Sequence, residues 1–564
     1  MKAAIYQINS KYTHSSLAAW YLLAAARNEN VECECCVLEG SINESEQVLF
    51  DRAVKSGADT VGFCTYIWNV DTVLRLAKRL KEHDSGITVI LGGPEVGYRA
   101  EDILKNHAYA DYVISGEGEV PFARLLSALA KGDKEPRIDG VSMRCGSSCC
   151  ITPPYEMKND PPCPYGEEYL CTLRERISYI ETSRGCPFSC AYCLSCVHSV
   201  RFFDLENAKR SILLLANSGS KTVKFVDRTF NADRKRAVLL FRFIIEKYRA
   251  GEIPEGVTFH FEIAGELVDG DTLSAIKDAP AGLFQFEIGV QSFNVQTLRA
   301  INRYTNTEKL CEVITELSSY GNAHIHTDLI AGLPYEGIES FKASYNRLYA
   351  LGSHKIQLGF LKLLWGSDMR EKSTLYPCEY EAQAPYQVKS TPWLSEDDIY
   401  ELEAVERAND GIFFSGRFIK TAKYLMLCTN YDAYTLALIL GRALYSETTP
   451  ALDTLFDMLF LEGSKLPGVE PRRLRDVMLY DRISNNNSCV IPKSLKIKDS
   501  RLKRISRRIN EKYPQKAGVR RCIGILYTED KVIFADYENK HPVSGLYSVR
   551  ETALGEISGD GEEA

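Results

Sequence analysis

The chain has 564 residues and a formal net charge of −7, with 45% hydrophobic and 25% charged residues. That length sets an expectation of three or four domains, and the composition is that of a globular protein. The acidic balance offers no general attraction for nucleic acid or anionic lipid. No run of about 18 apolar residues is present, so no membrane-spanning helix is predicted. The N-terminus MKAAIYQINS alternates like a strand and lacks the apolar core of a secretory signal, which points to the cytoplasm. In such a reducing compartment the eighteen cysteines are expected to be small buried residues, with a minority binding metal or doing redox work.

In chain order, Ala3–Ile8, Val31–Leu38, Thr60–Tyr66, Ile87–Leu91 and Tyr112–Ser115 read as strands. Ser15–Asn28, Glu44–Ser56 and Val70–Glu82 read as helices between them. This alternation predicts an α/β domain over 1–133 built on a doubly wound parallel sheet. Ligands of such sheets bind beyond the C-terminal strand ends. Two of those ends carry Gly92-Gly93-Pro94 and Gly116-Glu117-Gly118-Glu119, turns that let a ligand approach the backbone. Residues 134–170 read as a linker with a small hairpin. Their Cys145, Cys149, Cys150 and Cys163 match no paired zinc-ligand spacing.

A second series runs over 171–372, with strands predicted at Ile177–Thr182, Thr222–Val226, Val257–Ala264, Phe284–Val290, His324–Ile330 and Ile356–Leu364. Six strands separated by helices suit a partly closed parallel barrel. Residues 373–552 read as mainly helical, with a small antiparallel unit near the end, and 553–564 as a disordered acidic tail. Lys493 to Arg521 carries twelve Lys or Arg against two acids. It reads as a solvated basic face, the alternative being a patch for RNA or a phosphorylated substrate.

The strongest chemical signal is Ser183-Arg184-Gly185-Cys186-Pro-Phe-Ser-Cys190-Ala-Tyr192-Cys193, directly after the first strand of the second series. Three thiolates at this spacing can take three corners of a [4Fe–4S] cluster and leave the fourth iron open to a small molecule. Cys196 is an alternative fourth thiolate that would close the site. His324, His326 and Asp328 share a strand face by period two. A hydrolase metal there is the lesser reading, and inward polar residues the better one.

The cysteine loop resembles that of the radical S-adenosylmethionine (SAM) superfamily, and the similarity extends over roughly residues 170–370. The resemblance implies that Cys186, Cys190 and Cys193 hold the cluster, that SAM chelates the open iron, and that reductive cleavage yields a 5′-deoxyadenosyl radical. It places Tyr192 near the adenine. Asp227, Glu262, Gln291, Arg303 and Gly332 fall at successive strand ends, in an order similar to the coproporphyrinogen dehydrogenase-like branch. By position, Asp227 lies near the methionine end, Glu262 and Gln291 bind the ribose hydroxyls, and Arg303 pairs with the SAM carboxylate. Two acceptors suit a diol and a guanidinium suits a carboxylate.

A flavodoxin-like domain ahead of such a barrel resembles the cobalamin-binding class, and the region after residue 375 looks like an uncharacterised C-terminal domain of some bacterial members. The resemblance implies corrin contacts from His14, Ser15, Tyr66, Trp68, Gly92, Gly93, Gly116, Glu117, Gly118 and Glu119. No Asp-x-His-x-x-Gly is present, so histidine ligation of cobalt is not supported. The expected activity is cobalamin-dependent methylation of an unactivated carbon. A radical cyclisation, oxidation or rearrangement is the alternative within the class, and sulfur insertion into tRNA a weaker one. A zinc-stabilised nucleic-acid-binding protein is the alternative from another class. A reducing electron donor such as flavodoxin or ferredoxin is the expected partner, with an unknown substrate.

Overall fold

The computed structural model describes residues 1–146, 148–195, 199–444 and 450–558. The chain divides into two compact units. One comprises 1–278, 299–304 and 361–391, and the other 279–298, 305–360 and 392–564.

The first unit begins with β1 (Lys2–Asn9), β2 (Glu34–Ser41), β3 (Thr60–Cys64), β4 (Thr88–Gly92) and β5 (Tyr112–Ile114). All are parallel, in the order β2-β1-β3-β4-β5. Ala3–Ile8 and Val89–Leu91 are buried because helices cover both faces, so these strands read as unbroken apolar runs. The helix Val70–His83 shows why a face forms. Val70, Val73, Leu76, Ala77 and Leu80 recur at helical spacing and are buried, while the charged residues look outward. Its entry is fixed by Asn69, which donates to the Ile8 carbonyl (2.9 Å) and the Cys64 carbonyl (3.0 Å) and accepts from the Tyr66 amide (2.7 Å).

The hairpin expected within 134–170 exists, but it extends the first sheet rather than standing in a linker. β6 (Val141–Cys145) pairs antiparallel with β5, and β7 (Ser148–Cys150) with β6. An edge strand leaves a row of backbone donors and acceptors open, and the hairpin takes up that row. A disulfide joins Cys145 to Cys150 within the hairpin, which removes both from any zinc set.

The second series begins in the same unit with β8 (Ile177–Ile180), β9 (Ser183–Arg184), β10 (Arg201–Phe202), β11 (Thr222–Phe225) and β12 (Thr258–Ile263). β11 lies parallel between β8 and β12, and β9 pairs antiparallel with β10. Residues 361–391 also belong here, so the division expected at 372–373 does not coincide with the compact units.

In the second unit, β13 (Phe284–Gln291), β14 (His324–Ala331) and β15 (Lys355–Phe360) are parallel, with β14 central. Alternate residues Phe284, Phe286, Ile288 and Val290 are buried. The helices Glu396–Ala408, Ile419–Thr429, Ala433–Leu444, Leu452–Gly463 and Pro471–Asn485 follow. Three antiparallel strands, Arg521–Leu526, Lys531–Lys540 and Tyr547–Ala553, complete the unit. Helix Leu502–Lys512 buries Ile505 and Ile509 beside Phe534 and leaves its cations on the outer side. Leu554–Ser558 is helical, where the sequence led to the expectation of a disordered tail. The rest of that tail lies outside the described residues. No helix among the described residues is long and apolar enough to cross a membrane.

A Cβ on Gly441 would stand 1.9 Å from the Ala404 carbonyl oxygen, so helices Glu396–Ala408 and Ala433–Leu444 touch backbone to backbone. Gly441→Ala should therefore cost about 3 kcal/mol through overpacking, read as a lower urea midpoint. An unchanged midpoint would contradict this packing.

Candidate functional site

The cysteine loop leaves β8 through a turn fixed by one buried carboxylate. Asp227, 1% exposed, follows β11. Its Oδ2 accepts from the Thr182 amide (2.9 Å), and its Oδ1 accepts from the Thr182 hydroxyl (2.7 Å) and the Ser183 hydroxyl (2.6 Å). Burial pushes its carboxyl up to about 6 against the pull of these three donors. Asp227 was expected near the methionine end of SAM. In the structure both of its oxygens are engaged in shaping the loop entry.

Beyond that turn, none of Cys186, Cys190 and Cys193 is in a disulfide. The Cys186 sulfur lies 3.4 Å from the Thr229 hydroxyl, and the Ser195 amide points at the Cys193 sulfur at 3.4 Å. The Ala191 amide bonds the Ile301 carbonyl, which brings residues 299–304 against the loop. Arg303, 8% exposed, thereby sets its Nη1 3.8 Å from the Cys190 sulfur, with its guanidinium 5.9 Å from the Phe188 ring centre. Burial pushes the Cys190 thiol up, while Arg303 favours the thiolate. Burial likewise raises the Tyr192 phenol, which keeps it neutral beside Cys190. Among the described residues, no three His, Cys, Asp or Glu side chains converge on a single ion. A cubane does not need that, since each thiolate takes a different iron. Cys196 lies outside the described residues.

Glu262 in β12 stands 3.8 Å from the Lys224 ammonium on the neighbouring β11. Gln291 and Gly332 belong to the second unit. Gln291 ends β13 in a left-handed conformation, φ +69°. Its Oε1 is buried and finds no hydrogen-bond partner among the described residues. Such an acceptor fits a ligand hydroxyl, as a SAM ribose would supply. The strained turn is braced from behind. Ser292 donates its hydroxyl to Glu336 (2.6 Å), Ser344 does the same (3.3 Å), and the Phe293 amide bonds the Ser344 hydroxyl (3.1 Å). Glu336 is fully buried, and burial pushes its carboxyl up to about 7. It lies four residues beyond Gly332, whose φ of +91° turns the chain after β14. The strand-face histidines are packed together. The His324 ring lies 4.6 Å from that of His326 and 4.9 Å from that of His354, and His326 Nε2 meets Gln285 Nε2 at 3.0 Å.

The residues expected to meet a corrin fall into two groups. Tyr66 and Trp68 stack at 4.5 Å and 5° beyond β3, and the outer Trp68 is 43% exposed, enough to present a ring face to a planar macrocycle. Gly92 and Gly93 follow β4. A Cβ on Gly93, at φ +112°, would stand 2.3 Å from the Thr65 carbonyl. Gly93 is thus packed on the Thr65 backbone, and the exposed indole of Trp68 is the feature that fits a planar macrocycle. The other group is engaged within the protein. His14 Nδ1 lies 2.5 Å from the Tyr179 hydroxyl on β8, and Ser15 donates to the Ile177 carbonyl (2.7 Å). Gly116 (φ +84°) packs on Tyr155, where a Cβ would meet a carbonyl at 2.3 Å, and Gly118 caps helix Glu119–Ala130. Glu117 and Glu119 turn to the cysteine loop, with Arg184 Nη1 3.4 Å from Glu117 and Nη2 2.5 Å from Glu119.

Residues 4–126 match the B12 binding domain, 180–348 the radical SAM superfamily, and 374–529 a domain of unknown function, DUF4080. Among curated relatives, the chain is 28% identical over 321 residues to 2-(S-pantetheinyl)-carbapenam-3-carboxylate methyltransferase of Streptantibioticus cattleyicolor. It is 27% identical over 312 residues to the cobalamin-dependent radical SAM methyltransferase TokK of Streptomyces tokunonensis. Each match covers 53% of this chain and 46% of the relative, so the chain spans about half the length of these proteins. Among solved structures, OxsB, a cobalamin-dependent S-adenosylmethionine radical enzyme, aligns with TM-score 0.59 and 14% identity over 85% of this chain and 78% of its own. TsrM from Kitasatospora setae, a radical S-adenosylmethionine methyltransferase, aligns with TM-score 0.54 and 16% identity over 65% and 74%. These likenesses show the fold. The chain therefore joins a B12 binding domain, a radical SAM domain and a DUF4080 region; the radical SAM match implies a [4Fe–4S] cluster and SAM, and the B12 binding match implies cobalamin.

The sequence reading did not single out Glu336 or Arg184. Glu336 sits in Gly332-Leu-Pro-Tyr-Glu336, where a carboxylate two residues after a proline turn could have been noticed. Nothing local pairs Arg184 with residues some 65 positions away.

Asp227→Ala strands three donors in the buried turn and should cost about 3 kcal/mol, with iron bound after anaerobic reconstitution below half that of the unaltered protein. Full iron loading and an unchanged melting point would remove Asp227 from this role. Glu336 predicts a pH effect. A carboxyl raised to about 7 in the fold holds its proton more tightly there than in the unfolded chain. Its stabilising contribution is complete below about pH 4 and is lost as pH rises through about 7. Denaturation between pH 5 and 8 should show Glu336→Gln sparing about 3 kcal/mol of that loss. Parallel pH profiles for both proteins would contradict the assignment.

Proposed function

We propose that this cobalamin-binding radical SAM protein is an enzyme that methylates an unactivated carbon, with Cys186, Cys190 and Cys193 as the cluster ligands. The observation that carries the reading is one loop of three cysteines outside any disulfide, with a buried guanidinium at Cys190, in a chain that also matches a B12 binding domain. When bound, the cofactors supply a 5′-deoxyadenosyl radical and a transferable methyl group. The chain's own residues bind, orient and exclude water. Asp227 fixes the loop entry and Arg303 offsets negative charge beside Cys190. Gln291 and Glu262 are each assigned as an acceptor for a ribose hydroxyl. Gly332 leaves room for the ligand at its turn, and Tyr192 flanks the adenine. Tyr66, Trp68, Gly92 and Gly93 form the corrin rim. His14 and Ser15 contact Tyr179 and Ile177 of the radical SAM series, and Gly118 caps helix Glu119–Ala130.

That the carbapenam relative and TokK are methyltransferases favours methyl transfer over cyclisation, oxidation or rearrangement. The B12 binding and radical SAM matches leave the zinc-stabilised nucleic-acid-binding alternative unfavoured. The DUF4080 region, within 373–552, is assigned to substrate binding. A radical SAM enzyme requires a reductant, and a flavodoxin or ferredoxin in the cytoplasm meets that need.

Anaerobically reconstituted protein given SAM and a strong reductant should form 5′-deoxyadenosine, and Cys190→Ala should lower the rate at least 100-fold. With hydroxocobalamin added, S-adenosylhomocysteine should also appear, and it should be absent without the corrin. No 5′-deoxyadenosine from iron-loaded protein would refute the radical reading. 5′-Deoxyadenosine without S-adenosylhomocysteine would favour the non-methylating alternative.

A further inference from the structure

We infer that Arg184 is a positioning residue that ties the Gly116–Glu119 loop of the B12 binding domain to the cysteine loop. The inference rests on the reading that this domain holds cobalamin. Arg184 lies two residues before Cys186, and its side chain is 17% exposed. Its Nε and Nη2 each donate at 3.0 Å to the two oxygens of Glu181, a bidentate pair. Nη2 also donates to Glu119 at 2.5 Å, and Nη1 stands 3.4 Å from Glu117. The guanidinium lies 5.3 Å from the centre of the Tyr21 ring.

A second arginine closes the network. Arg201 pairs with Arg184 across β10 and β9, and its Nη2 donates to Glu117 at 2.7 Å. The other Glu117 oxygen accepts from the Met157 amide at 2.6 Å. Two guanidiniums thus hold three carboxylates, and Glu119 is only 4% exposed. Buried ion groups of this kind add little net stability, but they are costly to break by halves and they specify geometry. Without Arg184, three carboxylates would face each other across the junction with one cation between them. The glutamates expected to touch the corrin instead give its loop a fixed address relative to Cys186.

The test compares Arg184→Gln, Arg184→Lys and Glu119→Gln with the unaltered chain. Hydrogen exchange on the cofactor-free protein comes first. Arg184→Gln should speed exchange at least tenfold in both 114–120 and 182–190, with helix Ala433–Leu444 unchanged as a folding control. Arg184→Lys should give an intermediate effect, because an ammonium cannot bridge three carboxylates. Glu119→Gln should loosen 114–120 more than 182–190, since the Glu181 pair remains. In the reconstituted protein, the hydroxocobalamin dissociation constant should rise about tenfold in Arg184→Gln, and the electron paramagnetic resonance of the reduced cluster with SAM should shift. If Arg184→Gln fails to fold, the other two variants carry the same comparison. Exchange in both segments and hydroxocobalamin affinity all within twofold of the unaltered chain would overturn the inference. Absence of hydroxocobalamin binding by the unaltered protein would refute the cofactor reading instead, and the exchange data would still decide the role of Arg184.

Discussion

A turn of three residues, Thr182-Ser183-Arg184, is held by buried charge on both flanks, and the geometry of the cysteine loop follows from it. On one side Asp227 takes three hydrogen bonds from Thr182 and Ser183. On the other, Glu181 and Glu119 grip the Arg184 guanidinium. A cluster loop of short spacing has little hydrophobic surface of its own, so its shape must come from its anchors. Charged and hydroxyl groups suit that task because their directions are specific where apolar contacts are not.

Backbone strain is held at a different turn, in the second unit. Gln291 occupies a left-handed conformation that costs about 1–3 kcal/mol for a non-glycine residue. It persists because Ser292, Ser344 and buried Glu336 over-determine the turn behind it. Its unpartnered carbonyl oxygen is then held ready for a ligand rather than folded back on the protein. The expected corrin side is built differently, with Gly93 packed on the Thr65 backbone and the exposed indole of Trp68 offering a flat ring face. One site selects by hydrogen-bond direction and the other by shape.

Much of this was legible from local pattern. The strands ending at Asn9, Cys64 and Gly92 were readable to within two residues because fully buried parallel strands are apolar runs closed by glycine or polar residues. The cysteine loop was readable because ligand spacing is itself a local property. Residues whose partners are distant were not. Asp227 looked like a ligand contact, yet it meets Thr182 and Ser183 some 45 positions away. Glu117 and Glu119 looked like corrin contacts, yet their cations come from a different strand series. The hairpin at 141–150 was expected, but within a linker, because its place at the sheet edge depends on β5 and not on its own sequence. A polar side chain announces that it needs a partner without saying which.

The account's central claim is that Cys186, Cys190 and Cys193 hold three irons of a cubane and leave the fourth for SAM. Mössbauer spectroscopy of protein reconstituted with ⁵⁷Fe tests it most directly. Addition of SAM should change the isomer shift and quadrupole splitting of about a quarter of the iron while the remainder keeps its thiolate signature. Four irons that stay equivalent and unaltered by SAM would contradict it.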